Sequence, residues 1–185
     1  MKQHGPWEII STRNVYKNPW IVVREDKIIQ PDGTQGTYGV IDYGSGVSIL
    51  PLDDKGFVYL VEQFRYALGS DSLETAAGGI DKNEIPLDAA KRELAEELGI
   101  TAKDWIGLGF LYSLTSIIAH RTDLFLAKKL SFGKPHPDPT EVLKMIKLPF
   151  QEAFDMVMES KIVHAPTCVL ILKAQEYLRN KKKDV

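Results

Sequence analysis

The amino-terminal third of the chain alternates short apolar and polar runs. Trp7-Glu8-Ile9-Ile10, Trp20-Ile21-Val22-Val23 and Lys27-Ile28-Ile29-Gln30 read as strands, and Pro31-Asp32-Gly33 reads as the turn that follows them. Val47-Ser48-Ile49-Leu50 and Phe57-Val58-Tyr59-Leu60-Val61 bracket Asp53-Asp54-Lys55-Gly56, which predicts a hairpin. Residues 106–112 and 124–127 predict further strands. The period changes at Leu87, Ala90, Leu94 and Leu98, which share one helical face. Pro86 suits the first position of that helix, Asp88 its first turn, and Gly99 its left-handed end. Residues 151–160 predict a second helix with Ala153, Phe154, Val157 and Met158 on one face, and Pro166 opens a third that runs to about Lys181. The pattern predicts an α+β fold, a mixed sheet between helices in three layers.

Composition narrows the function classes. The chain has 185 residues, 44% hydrophobic and 26% charged, an ordinary balance for a globular domain. A formal net charge of −2 and a pI near 6.1 argue against a nucleic-acid partner. The basic run at 179–183 reads as a solvated helix end. Cys168 is the single cysteine, so a disulfide framework and a thiolate metal site are excluded, and a reducing, cytoplasmic setting fits. No stretch has transmembrane length, so no membrane partner is expected, and Met1-Lys2-Gln3-His4 is not the start of a signal peptide.

The chemistry concentrates in residues 78–100, GGIDKNEIPLDAAKRELAEELGI. At about 100° per residue, Glu93 and Glu97 lie ~40° apart beside the apolar stripe, with Glu96 just beyond. Like charges at this spacing destabilise a helix unless something neutralises them. A hard divalent cation does so: Mg²⁺, with Mn²⁺ as the alternative, prefers oxygen ligands and is commonly shared between carboxylates and a substrate phosphate. The ordinary alternative is a solvated acidic face in which Arg92 pairs with Glu96 and Asp88. Gly78 and Gly79 follow an extended run at 72–77. They are expected to begin a sharply turning loop that brings backbone against the helix carboxylates.

Gly78, Glu84, Arg92, Glu93, Glu96, Glu97 and Gly99, with Leu94 and Ile100, match G-x5-E-x7-R-E-U-x-E-E-x-G-U without a departure, where U is a bulky aliphatic residue. This resembles the signature of the Nudix hydrolases, which cleave nucleoside diphosphates linked to another moiety. Several flanking runs are similar to the ADP-ribose pyrophosphatase and nucleoside-diphosphate-sugar hydrolase branch of that family. They are Asn18-Pro19-Trp20, Tyr38-Gly39-Val40, Val61-Glu62-Gln63-Phe64-Arg65-Tyr66 with Glu74, and His164-Ala165-Pro166-Thr167. The resemblance implies an α/β/α sandwich with a mixed sheet and an amino-terminal antiparallel β-segment. That segment, residues 1–43, would be swapped across a homodimer, ahead of a Nudix domain at 44–185.

The resemblance also implies residue roles. Glu93, Glu96 and Glu97, with the carbonyl of Ala77, would hold Mg²⁺, and a pyrophosphate bond would be hydrolysed to a nucleoside monophosphate and a sugar phosphate. Arg92 would hold a glutamate in place, Glu84 would position Arg92 or the loop, and Gly78 and Gly99 would be structural. Glu141, on a Pro-rich loop or lid, is the first candidate for general base, the alternative being an ordinary loop carboxylate; His120 is the second candidate. Arg65 would contact phosphate, or else pair with Glu62 or Glu74. Trp7 or Trp20 would stack on the base, or else pack in the core, and Arg121 would contact substrate. Residues 112–121 lack the proline and the glutamate common in ADP-ribose-specific members, which points to broader specificity for nucleoside diphosphate sugars. A nucleoside triphosphate pyrophosphohydrolase and a non-catalytic nucleotide-binding module are the alternatives.

Overall fold

The computed structural model describes residues 1–181. Lys182 and Lys183, the end of the expected basic run, lie outside the described residues. Residues Met1–Ser45 and Tyr112–Arg121 form one compact unit, and Gly46–Leu111 with the chain from Thr122 onward forms another.

The first unit is built on an antiparallel sheet, β1 (Lys2–His4), β2 (Trp7–Lys17), β3 (Val22–Ile29) and β4 (Gln35–Asp42), paired in chain order. The strands expected at 20–23 and 27–30 are one continuous strand, and the one expected at 7–10 runs on to Lys17. Sequence periodicity broke at Arg24-Glu25-Asp26 because that polar stretch is held by side-chain bonds. Asp26, 4% exposed, accepts from Thr12 Oγ1 at 2.6 Å and from Arg24 Nε at 3.3 Å.

The second unit holds two small sheets. One has the order β8 (Ala76–Gly79), β5 (Gly46–Pro51), β10 (Arg121–Phe132), β9 (Ile100–Tyr112); the other has the order β11 (Lys144–Pro149), β6 (Phe57–Arg65), β7 (Ser70–Glu74). β5 pairs parallel with β10 and antiparallel with β8, so the sheet is mixed. The hairpin expected across 53–56 is not one. The turn is real, with Phe57 N–H donating to Asp53 Oδ1 at 2.9 Å and an isolated bridge Leu52–Val58 beside it, but β5 and β6 leave it into different sheets. β5 and residues 57–61 of β6 are largely buried on both faces, so nothing in their periodicity marks their partners.

Three helices complete the unit: α1 (Pro86–Leu98), α2 (Phe150–Met158) and α3 (Ala165–Lys181). Strand alternation divides the core between them. Val47, Ile49, Tyr59 and Val61 pack with Ala90, Leu94 and Leu98 of α1. Leu50, Leu52, Val58 and Leu60 pack with Ala153 of α2 and with Leu170, Ile171 and Ala174 of α3. A helix layer on each face of the strands is the α/β/α arrangement. Met158, expected on the buried face of α2, is 64% exposed.

α1 starts at Pro86 without a side-chain cap and ends at Gly99, whose φ of 62° and N–H to the Ala95 carbonyl close the last turn. Its buried face contains Ala89, Ala90, Leu94 and Leu98, and also the carboxylate of Glu97.

Candidate active site

The site is organised by a strand that changes sheets. β7 pairs with β6 in one sheet and β8 with β5 in the other, and Thr75 is the residue between them. Its N–H is lost to both ladders and donates to Thr167 Oγ1 on α3 at 2.9 Å, while its hydroxyl lies 2.6 Å from Ser48 Oγ. A buried N–H left unpaired would cost ~1–3 kcal/mol, so Thr167 fixes where the strand crosses. That crossing delivers Ala77 and Gly78 to α1. Ala77 N–H donates to Glu97 Oε2 at 3.1 Å.

Gly78 was expected to open a turn. It lies instead in regular strand, paired with Val47, and is absent from the glycines of positive φ. Its requirement is space: a Cβ there would stand 2.1 Å from Cδ and Oε1 of Glu93. The carboxylate of Glu93 thus fills the volume a side chain would take, and any other residue would displace it.

Arg92 ties the acids together. Nε and Nη2 donate to the two oxygens of Glu84 at 3.0 and 2.9 Å, and Nη2 donates to the Gly79 carbonyl at 2.9 Å. Nη1 donates to Glu93 Oε1 at 2.6 Å and to Glu96 Oε2 at 3.2 Å. Glu84 in turn accepts from Asp81 N–H at 2.9 Å, so it anchors both the loop and the guanidinium. Of the two pairs in the solvated-face alternative, Arg92–Glu96 forms and Arg92–Asp88 does not; Asp88 takes Lys91 at 3.1 Å.

The electrostatics are uneven along the helix. Burial pushes the Glu97 carboxyl up to about 8; Ala77 N–H pulls it down, and the neighbouring charges of Glu93 and Glu141 push it further up. Burial also raises Glu93, opposed by Arg92 and reinforced by Glu96 and Glu141. Among the described residues, no group of three or more His, Cys, Asp or Glu already surrounds one metal-sized point. Arg92 Nη1 takes one oxygen from each of Glu93 and Glu96. The donor set itself suits a hard divalent cation. It offers carboxylate oxygens that cannot all ionise at low cost, beside strand backbone and a glycine that admits close approach.

Arg65 lies on the far side of the strand crossing. Its Nε and Nη2 donate to both oxygens of Glu74 at 2.9 and 2.5 Å, so the Glu74 alternative is realised and Glu62 pairs with Lys144 instead. Glu74 is 1% exposed. Burial opposes its charge, but Arg65 and His164 hold its pKa below the usual carboxylate range. His164 Nδ1 is 2.9 Å from Thr167 Oγ1 and 3.4 Å from Glu74 Oε2. The Arg65–Glu74 pair is one the sequence offers, whereas its continuation through His164, Thr167, Thr75 and Ser48 is not. Apart from His164-Ala165-Pro166-Thr167, no local pattern marks it, because the full set comes from four elements, β5, β6, β7 and α3, and from two connecting residues, Thr75 and His164.

Glu141 is exposed on its loop, and its charge is felt at Glu93, Glu97 and Arg65. His120 packs differently. Its ring stacks on Tyr43 with centroids 3.9 Å apart, Nδ1 lies 2.8 Å from the Gly44 carbonyl, and burial lowers its pKa. Trp7 is half-buried, edge-on to Tyr38 at 5.8 Å, in the wall of a cavity of about 740 Å³ within the first unit. Trp20 is 77% exposed, outside any core, and Arg121 begins β10.

Comparison with known proteins agrees with this geometry. Residues 7–41 match the family model of the nucleoside diphosphate sugar hydrolase N-terminal domain, and residues 42–165 match that of the NUDIX domain. The chain is 27% identical over 177 residues to an ADP-ribose pyrophosphatase of Bacillus subtilis (strain 168), covering 94% of this chain and 96% of that protein. It is 31% identical over 160 residues to a GDP-mannose pyrophosphatase of Yersinia enterocolitica, covering 80% and 83%. A solved structure described as an ADP compounds hydrolase superposes with a TM-score of 0.86 at 22% identity, over 98% of each chain, which shows the fold. With an intact signature centred on α1, and Gly78 and Arg92 serving its glutamates, the chain belongs to the Nudix family.

Proposed function

We propose that the protein hydrolyses the pyrophosphate bond of nucleoside diphosphate sugars of the ADP-ribose and GDP-mannose type, releasing a nucleoside monophosphate and a sugar phosphate. The observation that carries this reading is the meeting of Glu93 and Glu97 with Ala77 and Gly78, where carboxylates are held against strand backbone. The match of residues 7–41 and the names of the relatives support the sugar-nucleotide class over nucleoside triphosphates.

Nudix pyrophosphatases depend on divalent metals, and Mg²⁺, or Mn²⁺ in its place, is the cation proposed here. Glu93, Glu96, Glu97 and the Ala77 carbonyl would hold it. When bound, it supplies charge neutralisation at the phosphates and a lowered pKa for the attacking water. Arg92 keeps Glu93 and Glu96 in register through Nη1. Arg65, locked on Glu74, keeps further N–H groups for a phosphate. Glu141 accepts the proton of the water as its oxygen attacks one phosphorus and the bridging P–O bond breaks. Trp7 is the better of the two tryptophans for stacking on the base, since it lines a cavity while Trp20 stands in solvent. Arg121 contributes to substrate binding, and His120, held on Tyr43 and Gly44, is the weaker base candidate. The amino-terminal β-segment, residues 1–43, exchanges across a homodimer, and the enzyme works in the cytoplasm.

The test is a panel of ADP-ribose, GDP-mannose, UDP-glucose and nucleoside triphosphates with Mg²⁺, products being separated by chromatography. Monophosphate and sugar phosphate are expected. Monophosphate and pyrophosphate from the triphosphates would replace this reading with a triphosphate pyrophosphohydrolase. Binding without turnover would leave a nucleotide-binding module.

A further inference from the structure

We infer that Gly99 is a positioning residue, the socket by which the arm carrying Glu141 docks on the helix of Glu93, Glu96 and Glu97. The inference rests on the reading of Glu141 as the base. Gly99 has φ +62°, and a Cβ there would stand 2.6 Å from Pro135 N, 2.7 Å from the Gly133 carbonyl oxygen and 2.8 Å from Lys134 C. All three are backbone atoms, so no rotamer change relieves the contact. Ending a helix asks only for a left-handed residue, and asparagine serves that purpose in many proteins. The docked arm asks for something stricter, the absence of any side chain.

Two hydrogen bonds fasten the same contact. Gly133 N–H donates to the Gly99 carbonyl at 2.7 Å, and His136 N–H donates to the Glu96 carbonyl at 2.9 Å. The second takes up a carbonyl that the end of α1 leaves without a helical partner. Glu96 therefore presents its side chain to Arg92 and its backbone to the arm, so the arm and the carboxylates are referenced to one helical turn.

From the dock to Glu141 the chain is stiff. Pro135, Pro137 and Pro139 fix their own φ angles. Asp138 Oδ1 accepts from Thr140 N–H at 2.8 Å and from Thr140 Oγ1 at 2.6 Å, and Glu141 N–H donates to the Asp138 carbonyl at 2.9 Å. Beyond Glu141 the chain enters β11, where Lys144 pairs with Glu62. The backbone of Glu141 is thus set from both ends, and the amino-terminal setting passes through Gly99.

Gly99→Asn tests this, since asparagine accepts the left-handed φ but adds the Cβ. Gly56→Asn is the control, with a φ of +83° and nothing within 4 Å of its Cβ. Hydrogen exchange at the Gly133 and His136 amides reads the docking directly, and steady-state kinetics in wild-type and Glu141→Gln backgrounds read its use. Three results together are expected from Gly99→Asn: faster exchange at those two amides, a fall in kcat of about tenfold or more at a KM within about twofold, and no further fall when Glu141 is already Gln. Gly56→Asn should do none of these. Unchanged exchange, unchanged kcat, or an equal fall in both backgrounds would overturn the inference. Wild-type turnover by Glu141→Gln would overturn the assignment of Glu141 and the inference with it. That is distinct from failure of the inference alone, in which Glu141→Gln turns over far more slowly than wild type and Gly99→Asn does not.

Discussion

Glu97→Gln should stabilise the metal-free protein while abolishing its activity. Glu97 is 6% exposed, and among the described residues its hydrogen-bond donor is the Ala77 N–H, which a glutamine oxygen also satisfies. Burial raises its folded pKa from 4.5 to about 8. Between those values the folded chain holds a proton that the unfolded chain has given up. The stability present below the unfolded pKa is therefore lost as pH rises through the folded pKa. At ~1.4 kcal/mol per pKa unit, the shift sets a ceiling of ~5 kcal/mol, and relaxation toward solvent reduces this to about 2–3 kcal/mol. Glutamine carries no such cost. Urea unfolding in EDTA at pH 5, 6.5 and 8.5 should show the variant and wild type close together at the lowest pH. The variant should be more stable by about 2–3 kcal/mol at the highest. Excess Mg²⁺ should close this gap, because a ligand of the folded state at ~100 times its Kd adds ~2.7 kcal/mol to wild type alone. A stability difference that does not change with pH, or a variant less stable than wild type at pH 8.5 in EDTA, would refute the reasoning.

Three other substitutions probe separate parts of the site. Gly78→Ala puts a Cβ 2.1 Å from the Glu93 carboxyl; the flexible glutamate yields, so unfolding free energy should change by about 1 kcal/mol or less while turnover falls ~100-fold, and full turnover would contradict the placement. Thr167→Val removes the acceptor of the Thr75 N–H and should cost ~1–3 kcal/mol in urea unfolding, an unchanged midpoint being the contrary result. Arg65→Lys loses the two-point hold on Glu74 and should raise KM about tenfold with a smaller change in kcat; an unchanged KM would restrict Arg65 to a structural pair.

The legibility of the chain followed the range of the interactions. α1 was readable end to end, because Pro86, the apolar stripe and Gly99 are local signals. The acids on it were readable because an arc of like charges conflicts with helix stability unless a ligand resolves it. The expectation that backbone would approach those acids held at Gly78, but the reason given for it, a turn, did not. A glycine needed for space looks the same in sequence as one needed for φ. The hairpin at 53–56 failed for a related reason: a tight turn is local, whereas the choice of β8 and β10 as partners of β5 is not. The Arg65–Glu74–His164–Thr167 chain was only half visible, since it forms where β7 gives way to β8 against the start of α3.

The central claim is that this site splits the bond between the two phosphates of a sugar nucleotide. Phosphorus NMR of ADP-ribose incubated with the protein and Mg²⁺ tests it most directly, with Glu97→Gln alongside. The diphosphate resonances should give way to two phosphomonoester resonances with wild type and persist with the variant. Diphosphate resonances that persist with wild type, or that vanish equally with Glu97→Gln, would contradict the account.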